Sequence, residues 1–150
     1  MKTKNIHATC IAIGKRGVLL LGKSGTGKSE LALRLLDEGA KLVADDRTDL
    51  FLRGGALMAR APATIAGLME VREMGIIAMP YAKSAKLALV VQLGKRGPRL
   101  PRPRFYSAPF AAKPVPIIAL DGHAPAATAK IRAALAAFSK GLFRDSFNEP

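Results

Sequence analysis

One stretch of the sequence, VLLLGKSGTGKSELALRLL, runs from Val18 to Leu36 and limits the fold class that the chain can adopt. Its apolar strand Val18–Leu21 leads into residues 22–29, which match the pattern G-x-x-x-x-G-K-[ST] of a phosphate-binding loop. A helical pattern follows from Lys28 to Glu38, and Gly39 ends it. The order of strand, glycine-rich loop and helix predicts an α/β protein with a P-loop fold that binds a nucleoside triphosphate.

Each residue type in this loop has a physical reason. The glycines let backbone N–H groups converge on phosphate oxygens, and the helix N-terminus adds partial positive charge. Lys28 is expected to reach the β- and γ-phosphates and to act in catalysis, and the Ser29 hydroxyl is expected to ligate Mg²⁺. With ATP and Mg²⁺ as expected ligands, the predicted nucleotide-binding residues are Gly22, Lys23, Ser24, Gly25, Thr26, Gly27, Lys28 and Ser29.

Two adjacent acidic residues, Asp45 and Asp46, follow the next predicted strand, Lys41–Ala44. In a parallel arrangement, that strand ends at the same sheet edge as the glycine-rich loop, where ligands gather. One carboxylate there would hold Mg²⁺, and the other would accept a proton from an attacking hydroxyl.

The residues before the loop predict an N-terminal β-hairpin. The segment Ile6–Ile13 is apolar with β-branched members, and a four-residue turn signal separates it from the next strand. Pairing Ile13 with Val18 sets a register that places His7 opposite Ser24. There, His7 would hydrogen-bond an aspartate and tune its basicity.

The remainder of the chain predicts one domain over residues 1–150, with a mixed central sheet and a C-terminal helix. The further elements are a hairpin of Leu50–Leu52 and Ala56–Ala59, a segment of undetermined type at Leu68–Met79, strands at Leu87–Leu93 and Val115–Leu120, and a helix at Pro125–Phe138. His123 lies in a predicted turn with no partner suggested, so we assign it no role.

The chain is strongly basic, with 24 Lys and Arg against 11 Asp and Glu, a net charge of +13. Such a field attracts anions. Residues 74–120 contain no acid, and the proline-interrupted loop Gly94–Pro109 carries the basic stretch Lys95–Arg104. This stretch either contacts an acidic protein or phosphate, or is a solvated loop.

The single cysteine, Cys10, excludes an internal disulfide framework, and we expect it to be buried. The apolar runs are short, which predicts a cytoplasmic protein without a membrane span.

Four segments resemble the catalytic domain of the HPr kinase/phosphorylase family in its short form. They are Ile6–Thr9, Gly22–Glu30, Leu42–Arg47 and Met69–Ile76, and the last is similar to the family signature Glu-[Val/Ile]-Arg-Gly-x-Gly-Ile. The resemblance implies a fold akin to phosphoenolpyruvate carboxykinase and a hexameric assembly. It also implies transfer of the ATP γ-phosphoryl group to a serine of the phosphocarrier protein HPr, and a reverse reaction with inorganic phosphate that yields pyrophosphate.

The resemblance also implies roles for individual residues. Asp45 would be the base for the serine hydroxyl or for phosphate, and His7 would lie beside Asp45. The residues implied at or near Mg²⁺ are Ser29, Asp46 and Glu70.

The signature segment departs from the family pattern at one position. Glu73 stands between Arg72 and Met74, where the family has glycine. Glycine adopts a positive φ at no steric cost and glutamate does not, so the departure puts the loop geometry and the dephosphorylating direction in question. Arg99 is a candidate match to a family arginine that acts in dephosphorylation.

Two other functions remain open on the sequence. A small-molecule kinase would use the basic loop as a lid with catalytic arginines. A nucleic-acid binder gated by ATP would use the charge of +13, although only 5% of the residues are aromatic and platforms for base stacking are scarce.

Overall fold

The computed structural model describes residues 2–143, which form a sheet covered on one face by two α-helices. The strands are β1 (Lys4–His7), β2 (Thr9–Ile13), β3 (Arg16–Leu21), β4 (Lys41–Ala44), β5 (Arg47–Arg53), β6 (Ala56–Arg60), β7 (Leu68–Val71), β8 (Gly75–Ala78), β9 (Ala85–Leu93) and β10 (Ile117–Leu120). The helices are α1 (Lys28–Asp37) and α2 (Ala127–Lys140).

The main sheet is mixed, as predicted. Its strand order is β1-β5-β6-β9-β3-β2-β4, and β10 pairs with β9. The central strand β9 runs parallel to β3 and to β10, whereas the other pairs in this sheet are antiparallel. The predicted N-terminal hairpin is β2–β3, and the predicted C-terminal helix is α2.

The sheet holds an apolar cluster on each of its two faces, because successive strand residues point to opposite sides. On β9, Val91 belongs to the cluster beneath the helices, together with Leu31 of α1 and Ile131 of α2. The adjacent Val90 belongs to the cluster on the opposite face, which includes Cys10. Burial on both faces explains why β9 reads as a nearly continuous apolar run.

The prediction of one strand over Ile6–Ile13 is wrong, because the chain changes partners at Ala8. The Ala8 amide donates to the carbonyl of Asp46 at 3.0 Å, and the Ala8 carbonyl accepts a hydrogen bond from Thr48 Oγ1 at 2.9 Å. The residues before Ala8 therefore pair with β5 at the edge of the sheet, and those after it pair with β3 and β4.

The predicted hairpin register is wrong by two residues. Ile13 pairs with Arg16 across a two-residue turn, instead of with Val18. The turn is this tight because Gly14 adopts a φ of 62°, which glycine does at no steric cost. His7 lies outside this hairpin because of the partner change at Ala8, so its partner is Arg47 of β5 and not Ser24.

The segment of undetermined type folds as a second, two-stranded sheet. Strands β7 and β8 form an antiparallel hairpin in which Glu70 pairs with Ile76, and we call residues 68–78 the signature hairpin. The predicted basic loop Gly94–Pro109 contains no α-helix or strand, and only its last residue belongs to a helical turn, the 3-10 helix Pro109–Ala111. Within residues 2–143, no helix has the length and apolar character needed to cross a membrane.

The thiol of Cys10 is fully buried in the sheet, and this burial raises its pKa. Because the thiolate is the reactive form, we expect native protein at about pH 8 to be inert to a thiol-specific reagent, and denatured protein to react with one equivalent. Absorbance of the released thiol dye measures this, with Cys10→Ser as the blank. Rapid reaction of the native protein would contradict the burial.

Candidate functional site

Several strands end at one edge of the main sheet. Strands β3, β9 and β10 are parallel, and β4 runs in the same direction as β3 because both are antiparallel to β2. The segments that follow β3, β4 and β10 begin at Gly22, Asp45 and Asp121. In open α/β sheets, ligands bind at this carboxyl edge, so these segments form the candidate site.

The glycine-rich loop, residues 22–29, wraps tightly between β3 and α1. Gly22, Gly25 and Gly27 have φ values of 152°, 88° and 90°. A Cβ at Gly22 would lie 2.5 Å from Thr26 Oγ1, so a larger residue there would force the Thr26 side chain to move. The Lys28 ammonium donates to the carbonyls of Gly22 and Lys23, which keeps the lysine folded against the loop.

Helix α1 starts at this loop with its amides available to an anion. Gly27 at its N-terminus has a left-handed conformation and offers no side-chain cap. The first amides of a helix have no partner within the helix, so this end carries N–H donors and partial positive charge. A loop and helix of this kind fit a phosphate group.

A cavity of about 760 Å³ opens in front of the loop. Five segments of the chain line it: the end of β1, the glycine-rich loop with the first turns of α1, the turn between β4 and β5, the signature hairpin and the loop after β10. The lining residues include His7, Ser24, Gly25, Gly27, Lys28, Ser29, Asp46, Glu70, Arg72, Glu73 and His123. Five of the predicted site residues are not in this lining: Gly22, Lys23 and Thr26 of the glycine-rich loop, together with Asp45 and Arg99.

Asp45 lies behind the cavity and is buried. Its Oδ1 accepts hydrogen bonds from Ser29 Oγ at 2.9 Å and Thr9 Oγ1 at 3.4 Å, and its Oδ2 accepts one from the Glu70 amide at 3.1 Å. A buried carboxylate requires such partners, and here they come from three separate segments. Asp45 thus fixes the Ser29 hydroxyl and the signature hairpin relative to each other.

Asp46 faces the opposite way and lines the cavity. Its Oδ1 accepts a hydrogen bond from His7 Nε2 at 2.8 Å. The Asp46 side chain is 67% exposed and the His7 side chain is 39% exposed. The expected neighbour of His7 was Asp45, so that expectation is corrected to Asp46. The reason is the left-handed backbone conformation of Asp46, with a φ of 65°, because it directs the side chains of Asp45 and Asp46 to different surroundings.

The signature hairpin carries Glu70 and Arg72 to the cavity. Glu73 lies at its tip with a φ of 73°, the conformation for which glycine is suited. The turn forms nevertheless, since the Met74 amide donates to the carbonyl of Val71 at 2.9 Å. The departure from the family pattern therefore leaves the turn intact but places a non-glycine residue in a strained conformation.

Arg99 is not brought to this cavity. It lines a second cavity of about 960 Å³ between the basic segment, β10 and α2, together with Arg96, Arg102 and Arg104. The expectation that Arg99 matches a site arginine thus finds no support in its position.

His123, to which the sequence assigned no role, lies against the glycine-rich loop. Its Nε2 is 3.2 Å from the carbonyl oxygen of Gly25. The sequence predicted a strand before this turn, but only the structure shows that the strand is parallel to the one before the glycine-rich loop and so ends at the ligand edge.

The donor set fits a magnesium ion that arrives with a nucleotide. Among residues 2–143, no group of three or more His, Cys, Asp or Glu side chains is placed to hold a metal alone. Magnesium usually takes one or two carboxylates and completes its octahedron with phosphate and water oxygens. The Ser29 hydroxyl, backed by Asp45, and the carboxylate of Glu70 offer oxygen ligands of this type.

Residues 1–96 match the family model described as the HPr Serine kinase C-terminal domain. The HPr kinase/phosphorylase of Lactobacillus acidophilus is 46% identical over 77 residues, which cover 51% of this chain and 24% of that protein. The corresponding protein of Clostridium acetobutylicum is 44% identical over 85 residues, or 55% of this chain and 28% of that protein. The chain thus spans about a quarter of the length of these curated relatives.

A solved structure resembles most of the chain. The HPr(Ser) kinase/phosphatase from Coxiella burnetii superposes with a TM-score of 0.74 and 25% sequence identity, covering 91% of this chain and 90% of that one. The structural likeness therefore extends beyond the segment that the family model matches.

The strain at Glu73 predicts that Glu73→Gly stabilises the protein. Removing the Cβ relieves a left-handed conformation that costs about 1 kcal/mol, equivalent to about 2–4 °C in Tm. Glu73→Ala is the matched control, since it removes the charge but keeps the Cβ, and we expect it to leave Tm near the wild-type value. Equal Tm values for the glycine and alanine variants in thermal unfolding would contradict the strain.

Proposed function

The chain belongs to the family of the HPr Serine kinase C-terminal domain, and from this premise we propose that it transfers the γ-phosphoryl group of ATP to a serine hydroxyl of HPr. The observation that carries the proposal is the Asp46–His7 pair, 2.8 Å apart, which lines the same cavity as the glycine-rich loop. The cavity therefore holds an anion-binding loop and a proton acceptor together, which phosphoryl transfer to a hydroxyl requires.

The glycine-rich loop is the proposed site for the triphosphate of ATP. Its amides and the N-terminus of α1 would bind phosphate oxygens, as in the P-loop predicted from the motif. Lys28 now donates to two loop carbonyls and would exchange them for the β- and γ-phosphates. The likeness to phosphoenolpyruvate carboxykinase and the hexameric assembly stay predictions.

Ser29 and Glu70 are the proposed ligands of Mg²⁺, which would neutralise charge on the phosphates. Asp45 orients both, because it accepts hydrogen bonds from the Ser29 hydroxyl and the Glu70 amide. We therefore propose that Asp45, rather than Asp46, acts on the metal side.

Asp46 is the proposed base, in place of Asp45. The His7 imidazole donates to Oδ1 and orients the carboxylate, while Oδ2 accepts no hydrogen bond within residues 2–143. Oδ2 would take the proton of the serine hydroxyl as the seryl oxygen bonds to the γ-phosphorus and the bond to the ADP oxygen breaks. The buried Asp45 already accepts three hydrogen bonds and is less suited to meet a protein substrate.

The same pair supports a proposed reverse reaction in the cytoplasm. An oxygen of inorganic phosphate would bond to the seryl phosphorus as the bond to the seryl oxygen breaks, forming pyrophosphate, and Asp46 would pass the proton that it takes from the inorganic phosphate to the serine. Arg72 lines the cavity and is the candidate for binding the additional phosphate, whereas Arg99 lies on the second cavity.

We expect Mg²⁺-ATP and purified protein to phosphorylate a serine of HPr, measured by mass spectrometry of HPr. Asp46→Asn should slow transfer by about 10²- to 10⁴-fold, the usual contribution of a general base, without changing the Kd for Mg²⁺-ATP. Asp45→Asn should instead weaken the binding of Mg²⁺-ATP. Asp37→Asn, an exposed change at the end of α1, is the matched control and should behave as wild type.

Three results would count against the proposal. Transfer to a small molecule with none to HPr would favour the small-molecule kinase, and phosphohistidine on HPr would exclude serine as the acceptor. If Asp45→Asn removed transfer with normal nucleotide binding while Asp46→Asn remained active, the proposed roles of the two carboxylates would be reversed.

A further inference from the structure

The loop between β10 and α2, residues 121–126, forms a wall against the glycine-rich loop, and we call it the anchor loop. His123 lies at its tip, with Nε2 3.2 Å from the carbonyl oxygen of Gly25. Its ring also covers Gly27, where a Cβ would lie 3.0 Å from the imidazole. The ring lines the cavity in which the proposed function places the nucleotide.

The anchor loop is itself held in place by helix α1. The Arg34 guanidinium donates to three of its carbonyls, those of Gly122 at 3.3 Å, Ala124 at 3.2 Å and Pro125 at 3.0 Å. The Asp121 carboxylate accepts a hydrogen bond from the His123 amide at 3.0 Å, which fixes the backbone beneath the imidazole.

The contact between the two loops leaves no room for a larger residue at Gly122. A Cβ there would lie 2.8 Å from the carbonyl oxygen of Thr26, so the anchor loop touches the glycine-rich loop directly. His123 and Gly122 thus meet two successive peptide groups of the glycine-rich loop from one side.

The hydrogen bond to Gly25 has a direct consequence for anion binding. A phosphate-binding loop works only when its N–H groups point toward the anion and its carbonyls point away. A carbonyl oxygen can only accept, so the imidazole Nε2–H is the donor in this contact. The imidazole thus engages a carbonyl oxygen of the loop, and the other end of the same peptide is also fixed, because the Thr26 amide donates to the Lys23 carbonyl at 3.2 Å.

We propose that His123 is a positioning residue for the glycine-rich loop, which keeps the loop in the conformation that binds phosphate before any nucleotide arrives. This inference deepens the proposed function and rests on it. It assigns His123 no contact with the reacting atoms. The ligand class follows from the geometry, because His123 acts on the part of the loop that would bind phosphates. It should therefore affect the binding of any polyphosphate, whether or not the ligand carries a base.

The test compares wild type, His123→Ala and His123→Gln by calorimetric titration with Mg²⁺-ATP and with inorganic tripolyphosphate. Loss of one hydrogen bond predicts a rise in Kd of about two- to tenfold for His123→Ala, by the same factor for both ligands. Glutamine places an amide donor near the position of Nε2, so His123→Gln should restore both Kd values to within about twofold of wild type.

Circular dichroism checks that each variant is folded. His123 is exposed, so we expect normal folding. If His123→Ala is destabilised, His123→Leu replaces it, because leucine keeps much of the ring volume without a donor. If glutamine restores the Kd values and leucine does not, the hydrogen bond to Gly25, and not packing against Gly27, accounts for the effect of His123.

The outcomes separate this inference from the proposed function. If wild type binds neither ligand at millimolar concentration, both are overturned. If wild type binds and His123→Ala or His123→Leu binds equally well, only the role of His123 is overturned. Weaker binding of Mg²⁺-ATP with unchanged binding of tripolyphosphate would also overturn it, since His123 would then contact the base or ribose.

Discussion

The buried carboxylate of Asp45 holds three segments of the chain together, and the candidate site depends on it. It accepts hydrogen bonds from Ser29 at the start of α1, from Thr9 on β2 and from the Glu70 amide of the signature hairpin. Hydrogen bonds to a charged acceptor contribute about 1.5–3 kcal/mol each, and a buried carboxylate without them is strongly unfavourable. The glycine-rich loop and the signature hairpin are therefore fixed across the cavity without any bound ligand.

The two adjacent aspartates occupy opposite surroundings because the backbone turns sharply between β4 and β5. Asp46 takes a left-handed conformation, which aspartate tolerates better than most residues, and the Arg47 amide bonds back to the carbonyl of Asp45 at 2.7 Å. One carboxylate is thereby buried among donors while the other meets the cavity and His7. This division allows one of two like residues to organise the site while the other is open to the cavity, where we propose that it accepts a proton.

Local patterns in the sequence predicted the glycine-rich loop, helix α1 and the buried strand β9, because glycine spacing and apolar periodicity are local properties. Strand pairing is not local. The change of partner at Ala8 depends on hydrogen bonds to Asp46 and Thr48, about forty residues along the chain, which no periodicity records. The distinction between the two aspartates depends on one backbone angle, and the position of His123 depends on three hydrogen bonds from Arg34 to the anchor loop.

A crystal structure of the protein with Mg²⁺ and a non-hydrolysable ATP analogue tests the central claim most directly. The account predicts that the triphosphate lies along the amides of the glycine-rich loop, with the metal beside Ser29 and the γ-phosphate facing Asp46. A nucleotide in the arginine-lined second cavity, or a γ-phosphate directed away from Asp46, would contradict it.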